Sequence, residues 1–77
     1  RANPVKDHVS MDYNLPKPGP AMLTLYDAAG REVMERQLYL TRTGSLDLPV
    51  KQLPAGIYLL RLEADAFTAT RKLVLQR

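Results

Sequence analysis

His8-Val9-Ser10-Met11-Asp12-Tyr13-Asn14-Leu15 puts Val9, Met11, Tyr13 and Leu15 on one parity and His8, Ser10, Asp12 and Asn14 on the other. An apolar period of two is the pattern of a β-strand with one face in a core and the other in water. The stretch predicts a half-buried strand, with His8 turned to solvent. Immediately after it, Pro16-Lys17-Pro18-Gly19-Pro20 stops any ladder, because proline lacks an N–H and glycine permits a reversal. A second strand is expected over 21–27, with Leu23 and Leu25 inward and Met22, Thr24 and Tyr26 on the opposite face. Asp27-Ala28-Ala29-Gly30 then reads as a hairpin loop in which Gly30 supplies a positive φ.

Local signals conflict over 31–40. Val33, Met34, Gln37 and Leu38 would share a helical face, and the residues are good helix formers. Against a helix, Gly30 would fall in the first turn of one capped at Asp27, and no acceptable C-cap precedes Gly44. The segment is therefore read as strand. Val33 and the Met34, Leu38, Leu40 set have opposite parity, so that reading requires a bulge or an early break. Thr41-Arg42-Thr43-Gly44 reads as a turn, and 45–48 as a short strand with Leu46 and Leu48 inward, ended or marked as an edge by Pro49. Leu53-Pro54-Ala55-Gly56 is another reversal. It leads into Ile57-Tyr58-Leu59-Leu60-Arg61-Leu62, apolar on both parities up to Arg61 and thus expected to be a central strand covered on both faces over much of its length. Glu63-Ala64-Asp65-Ala66 is a tight connection, and 67–76 forms the last strand, whose end at Leu73-Val74-Leu75 is again apolar on both parities. About six to seven short strands predict a single all-β domain over 1–77, an antiparallel two-sheet sandwich.

Composition narrows the function. A chain of 77 residues buries only about 60% of the surface it exposes when unfolded, so its core is thin and a deep pocket would be costly. There is no cysteine, hence no disulfide, thiolate zinc site or cysteine nucleophile. The lone histidine makes a multi-histidine metal site within one chain impossible. His8 with Asp7 or Asp12, and Ser10 as a nucleophile, would lie on a wet strand face without a pocket, and Glu63 and Asp65 are expected as turn formers. No catalytic residue, metal or cofactor is assigned, and the chain is not read as an enzyme. The longest apolar stretch, 57–60, is far short of a membrane span, and no signal peptide opens the chain. Arg1 stands where an initiator methionine would, which reads as a piece of a longer protein. The net charge of +3 is interspersed with acids, and the aromatics Tyr13, Tyr26, Tyr39, Tyr58 and Phe67 are scattered about one per strand, so no nucleic acid partner is expected.

Four motifs in order carry a resemblance. They are Asn3-Pro4-Val5, then Leu25-Tyr26-Asp27-Ala28-Ala29-Gly30-Arg31-Glu32-Val33, then Leu53-Pro54-Ala55-Gly56-Ile57-Tyr58, and finally Arg71-Lys72-Leu73-Val74-Leu75-Gln76. Together they resemble the type A C-terminal sorting domain of the type IX secretion system of Bacteroidetes, over essentially the whole chain. The resemblance implies an immunoglobulin-like or fibronectin-like β-sandwich that directs a cargo protein from the periplasm across the outer membrane. It implies as partners the type IX translocon, its outer-membrane shuttle protein and a sortase-like cysteine protease that commonly removes the domain, with the cargo then secreted or anchored at the cell surface. Position by position, Asn3-Pro4 matches the entry motif, Gly30-Arg31 the glycine-arginine pair, Gly56 and Tyr58 the glycine-x-tyrosine pair, and Lys72 the near-terminal lysine. Arg1-Ala2 departs from the aromatic and proline that more often precede the asparagine.

Gly30, Arg31, Gly56, Tyr58, Arg71, Lys72, Leu73, Val74 and Leu75 are the residues expected to serve recognition. Each has a plainer role available. Gly30 is demanded by the hairpin, Arg31 beside Glu32 is either a solvated charge or a contact residue, and Gly56 with Tyr58 suits a turn and a packed strand edge. The last strand is the stronger case, since a terminal edge apolar on both parities invites a partner, through backbone pairing and contacts to Arg71, Lys72 and Arg77. Deleting 73–77 is expected to leave cargo in the periplasm with the domain still largely folded. The exposed terminal strands also make a strand-swapped dimer of the isolated domain plausible. The rival reading is a fibronectin-like structural or adhesion spacer, distinguished by having more chain behind it. A carbohydrate-binding module is disfavoured, as the chain has no tryptophan to stack on sugar.

Overall fold

Val9, Met11 and Leu15 are buried while His8, Ser10, Asp12 and Asn14 are exposed, so the alternation that opens the chain becomes strand β1 (His8–Asn14) with one dry face. The computed structural model describes residues 7–65 and 67–76. Within them follow β2 (Gly19–Asp27), β3 (Glu32–Leu40), β4 (Thr43–Pro49), β5 (Gly56–Ala64) and β6 (Phe67–Leu75). β1 and β4 form a two-stranded sheet, and the other four form a sheet in the order β3-β2-β5-β6, antiparallel throughout. The readings that depend on Asn3-Pro4-Val5, Arg1-Ala2, Ala66 and Arg77 lie outside the described residues.

The two sheets meet on their apolar parities. Val9, Met11 and Leu48 from the small sheet join Leu23, Leu25, Leu60, Leu62, Leu73 and Leu75 from the large one in a single core. Burying each such leucine contributes about 1.5–3 kcal/mol. Packing of the two sheets is therefore the chief source of stability, with no disulfide to add to it.

Bulge and register resolve the ambiguous 31–40 segment as strand. Leu25 pairs with Met34 and Tyr26 with Glu32, which leaves Val33 as the extra residue, exposed and outside the alternation. The parity change required by a strand reading is thus absorbed at Val33. Two boundaries move outward from expectation. β2 begins at Gly19, because Pro20 pairs only with Tyr39 of β3, while the β5 ladder starts at Ala21 and asks nothing of the proline on that side. β4 begins at Thr43, so Thr43 and Gly44 are ladder residues opposite Asn14 and Tyr13 instead of a turn. The Tyr13 ring lies over Gly44, where an added Cβ would meet the phenol oxygen at 2.8 Å. The glycine makes room for the ring, whose hydroxyl lies 3.2 Å from Thr41 Oγ1.

β5 is central, but the expectation that it is covered on both faces fails. Tyr58, Leu60 and Leu62 are buried under the small sheet, whereas Ile57 and Leu59 are 49% and 43% exposed. A two-stranded partner layer covers one face only, and among the described residues no layer packs on the other. On that outer face Thr24 alone is buried, a short side chain between Glu35 and Arg61 on the flanking strands. The margins of the large sheet, β3 and β6, carry Arg36 opposite Leu23 and Arg71 opposite Leu60, both on the inner parity and both exposed. The inner face is open at these two positions, although Met34 and Leu40 of β3 and Leu73 and Leu75 of β6 are buried on the same face. Inward-directed charge on a border strand discourages further apolar packing there.

Candidate functional site

The β2–β3 hairpin is organised by Asp27. Its Oδ1 accepts the backbone N–H groups of Ala29 at 3.0 Å and Arg31 at 2.9 Å. Its Oδ2 takes Arg31 Nε and Nη2, each at 3.0 Å. The backbone closes the same loop, with Asp27 donating to the Arg31 carbonyl and Gly30 donating to the Asp27 carbonyl. Gly30 sits at φ 86°, the left-handed region that costs a side-chain-bearing residue about 1–2 kcal/mol. The backbone N–H of Arg31 holds the Asp27 carboxyl below its usual range. Partial desolvation opposes this, and the Arg31 guanidinium adds to the lowering. Arg31 is thereby a builder of the hairpin, its guanidinium fixed on Asp27, as well as an exposed cation.

Gly56 and Tyr58 open β5. The Tyr58 ring is buried and its hydroxyl donates to the Pro54 carbonyl at 2.6 Å, tying the strand to the reversal before it. Gly56 adopts φ 157°, a conformation that side-chain-bearing residues rarely take. The pair therefore has a structural role, as a buried tyrosine with its polar tip satisfied at the rim.

Register brings these motifs to the end of β6. Gly56 pairs with Leu75, Ile57 with Val74, Tyr58 with Leu73 and Leu59 with Lys72, while Tyr58 and Leu59 pair on the other side with Asp27 and Tyr26. One end of the large sheet thus holds Gly30-Arg31, Gly56-x-Tyr58 and the last turnless stretch of β6. The nine residues expected to serve recognition divide by face. Leu73 and Leu75 are 1% and 3% exposed and belong to the core, so deleting 73–77 removes two core side chains along with the end of β6. Lys72 and Val74 share the outer parity with Ile57 and Leu59. Arg71 lies on the opposite face, which separates it from Lys72 despite their adjacency in sequence.

An open cleft of about 510 Å³ occupies this end of the outer face, lined among others by Tyr26, Ala28, Ile57, Leu59 and Lys72. A smaller depression of about 310 Å³ adjoins it and adds Arg31, Pro54 and Gly56. Tyr26, Ile57 and Leu59 are not among the nine residues expected to serve recognition, although Tyr26 and Ile57 lie within the quoted motifs. The signal that could have found Ile57 and Leu59 is the two-parity apolar run of 57–62, read as half-covered instead of wholly covered.

Several polar residues outside this end are engaged with one another. Ser45 Oγ donates to Asp12 at 2.7 Å, Glu63 pairs with Arg61 at 2.9 Å and Asp65 with Lys17 at 3.4 Å. His8 is exposed on the outer face of β1. Among the described residues no group of three or more His, Cys, Asp or Glu side chains is placed to hold a metal, and no helix is long and apolar enough to cross a membrane.

Compared with known proteins, the chain matches the family described as the secretion system C-terminal sorting domain over residues 2–76, nearly its whole length. No curated protein and no solved structure matches it.

Proposed function

Because the chain belongs to the C-terminal sorting domain family of the type IX secretion system, we propose that its sorting signal is read at the end of the large sheet where the hairpin, Gly56-x-Tyr58 and the last residues of β6 converge. Domains of this family are sorting signals, not catalysts. They direct export across the outer membrane toward the cell surface or secretion and engage the secretion machinery in doing so.

The observation that carries the reading is the division of labour among the motif residues. Asp27, Gly30, Arg31, Gly56, Tyr58, Leu73 and Leu75 build one end of the sandwich, and they leave Lys72, Val74, Ile57, Leu59 and Tyr26 displayed on its outer face. Exposed apolar side chains gathered at one end of a small domain mark a surface that a partner covers. In this reading the translocon and its outer-membrane shuttle bind that face during passage from the periplasm. A sortase-like protease then removes the domain, and the cargo is anchored at the surface or released.

Fusing residues 1–77 to a reporter in a type IX-competent cell tests the assignment. Delivery of the reporter beyond the outer membrane is expected, and retention in the periplasm would overturn it. Mass measurement of the delivered reporter shows whether the domain is removed: a full-length product at the surface rejects the cleavage step alone.

A further inference from the structure

All four large apolar side chains that stay exposed among the described residues, Val33, Tyr39, Ile57 and Leu59, lie on the outer face of the large sheet. Apolar exposure gathered on one face marks a surface that a partner covers. Register sorts the charges on that face as well. Across the sheet from β3 to β6, one row runs Glu32, Tyr26, Leu59, Lys72 and the next runs Glu35, Thr24, Arg61, Thr70. A third runs Gln37, Met22, Glu63, Thr68. The β3 margin is therefore acidic, and among the described residues neither Glu32 nor Glu35 has an ion-pair partner. The bases stand on the other half of the face, Arg61 on β5 and Lys72 on β6.

We infer that this face pairs with the same face of a second copy of the chain, about a two-fold axis parallel to the strands and midway between β2 and β5. Such an axis stacks β3 on β6 of the second copy and β2 on its β5, so each row meets itself reversed. Glu32 then faces Lys72, Tyr26 faces Leu59, Thr24 faces Arg61 and Met22 faces Glu63, with no like charges in opposition. An ammonium carries three donors, so the interaction that Lys72 has within its own chain does not exhaust it. An axis across the strands is excluded, because it stacks β3 on β3 and sets the two acidic margins together. Four strands at about 4.8 Å and about 3.3 Å of rise per residue give a face of roughly 400 Å² on each copy. The pair thus falls below the about 1,200 Å² of a stable complex, and the dimer is weak and reversible. No strand is exchanged, unlike the swapped dimer that exposed terminal strands suggest. The pairing stands on the geometry of the face alone. Under the sorting role it covers Tyr26, Ile57 and Leu59, and so excludes the machinery from them while it lasts.

Sedimentation equilibrium of the 77-residue chain at low salt tests the pairing. Its average mass is expected to rise towards that of two chains between about 10 µM and about 1 mM. Glu32→Lys and Lys72→Glu each set like charges against one another across the axis, and each should weaken association at least about tenfold. An equimolar mixture of the two variants brings each reversed charge onto an opposite one, and should associate as tightly as the unsubstituted chain. Both positions are exposed, and thermal melts check that the variants stay folded. Amide shifts of the unsubstituted chain give a reading that needs no substitution: with rising concentration they should move at Tyr26, Leu59 and their row neighbours. A chain that stays monomeric to about 1 mM, single variants that associate as well as the unsubstituted chain, a mixture that stays monomeric, or shifts centred on the free edge of β6 would overturn the inference. None of these outcomes touches export, so the sorting role is judged separately by the reporter fusion.

Discussion

Asp27 shows how one carboxylate can set a loop. It satisfies two backbone donors and a guanidinium, and its ionised form is favoured in the folded state because those donors are absent when the chain unfolds. A lowered folded-state pKa contributes stability that is present above the ordinary aspartate value of 3.8 and is lost as pH falls through the lowered value. Asp27→Asn keeps an acceptor but removes the charge. Urea midpoints should therefore show the wild type ahead of Asp27→Asn at neutral pH, with the gap closing under acid below the ordinary aspartate value. A gap that stays constant across that range would mean the charge of Asp27 does not matter to the fold. Gly30→Ala belongs to the same loop. No neighbour lies within 4 Å of an added Cβ, so only the backbone resists it, and a loss of about 1 kcal/mol is expected in the same urea assay.

β3 carries its irregularity in a single residue, and that can be tested at the scale of the strand. With Val33 removed, Glu32 would follow directly on Met34's ladder and the pairing Leu25 to Met34, Tyr26 to Glu32 would become regular. Deleting Val33 should cost no more than about 1 kcal/mol. Inserting one alanine after Gln37 should cost far more, because it throws Leu38 and Leu40 onto the wrong face. Thermal melts followed by circular dichroism separate the two, and equal losses would show that the bulge is itself a requirement of the fold. The same strand marks how far sequence reading reached. The parity change between Val33 and the Met34, Leu38, Leu40 set called for a bulge or an early break, and alternation in β1 announced its buried face, since both are properties of the strand alone. The fate of Ile57 and Leu59 was not legible, because a local pattern records that both faces of β5 are apolar but not whether a layer exists to cover the second. Nor was the ladder role of Thr43 and Gly44, which depends on the distant Tyr13 ring filling the space that the glycine leaves. At the candidate site, motif order located Gly30, Arg31, Gly56, Tyr58 and Lys72, while register across three strands was needed to show that they share one end.

At the scale of the molecule, a thin core makes fold and signal hard to separate by truncation. A folded chain of 77 residues has about 4–12 kcal/mol of stability in total, at about 0.05–0.15 kcal/mol per residue. Removing a buried leucine costs about 2–5 kcal/mol. Deleting 73–77 takes away both Leu73 and Leu75 together with their pairing to Tyr58 and Gly56, and so consumes most or all of that margin. The truncated chain should be largely unfolded by circular dichroism at 25 °C, and its failure to be exported would say nothing about recognition. Val74→Asp changes a half-buried residue on the outer parity and leaves the core leucines in place. It should retain a cooperative melt within about 1 kcal/mol of wild type, the ordinary range for such a position, while export of the reporter falls at least tenfold. A folded Val74→Asp domain exported at the wild-type level would place the signal elsewhere on the molecule, and a folded truncated domain would show that the last strand is less central to the core than its burial implies.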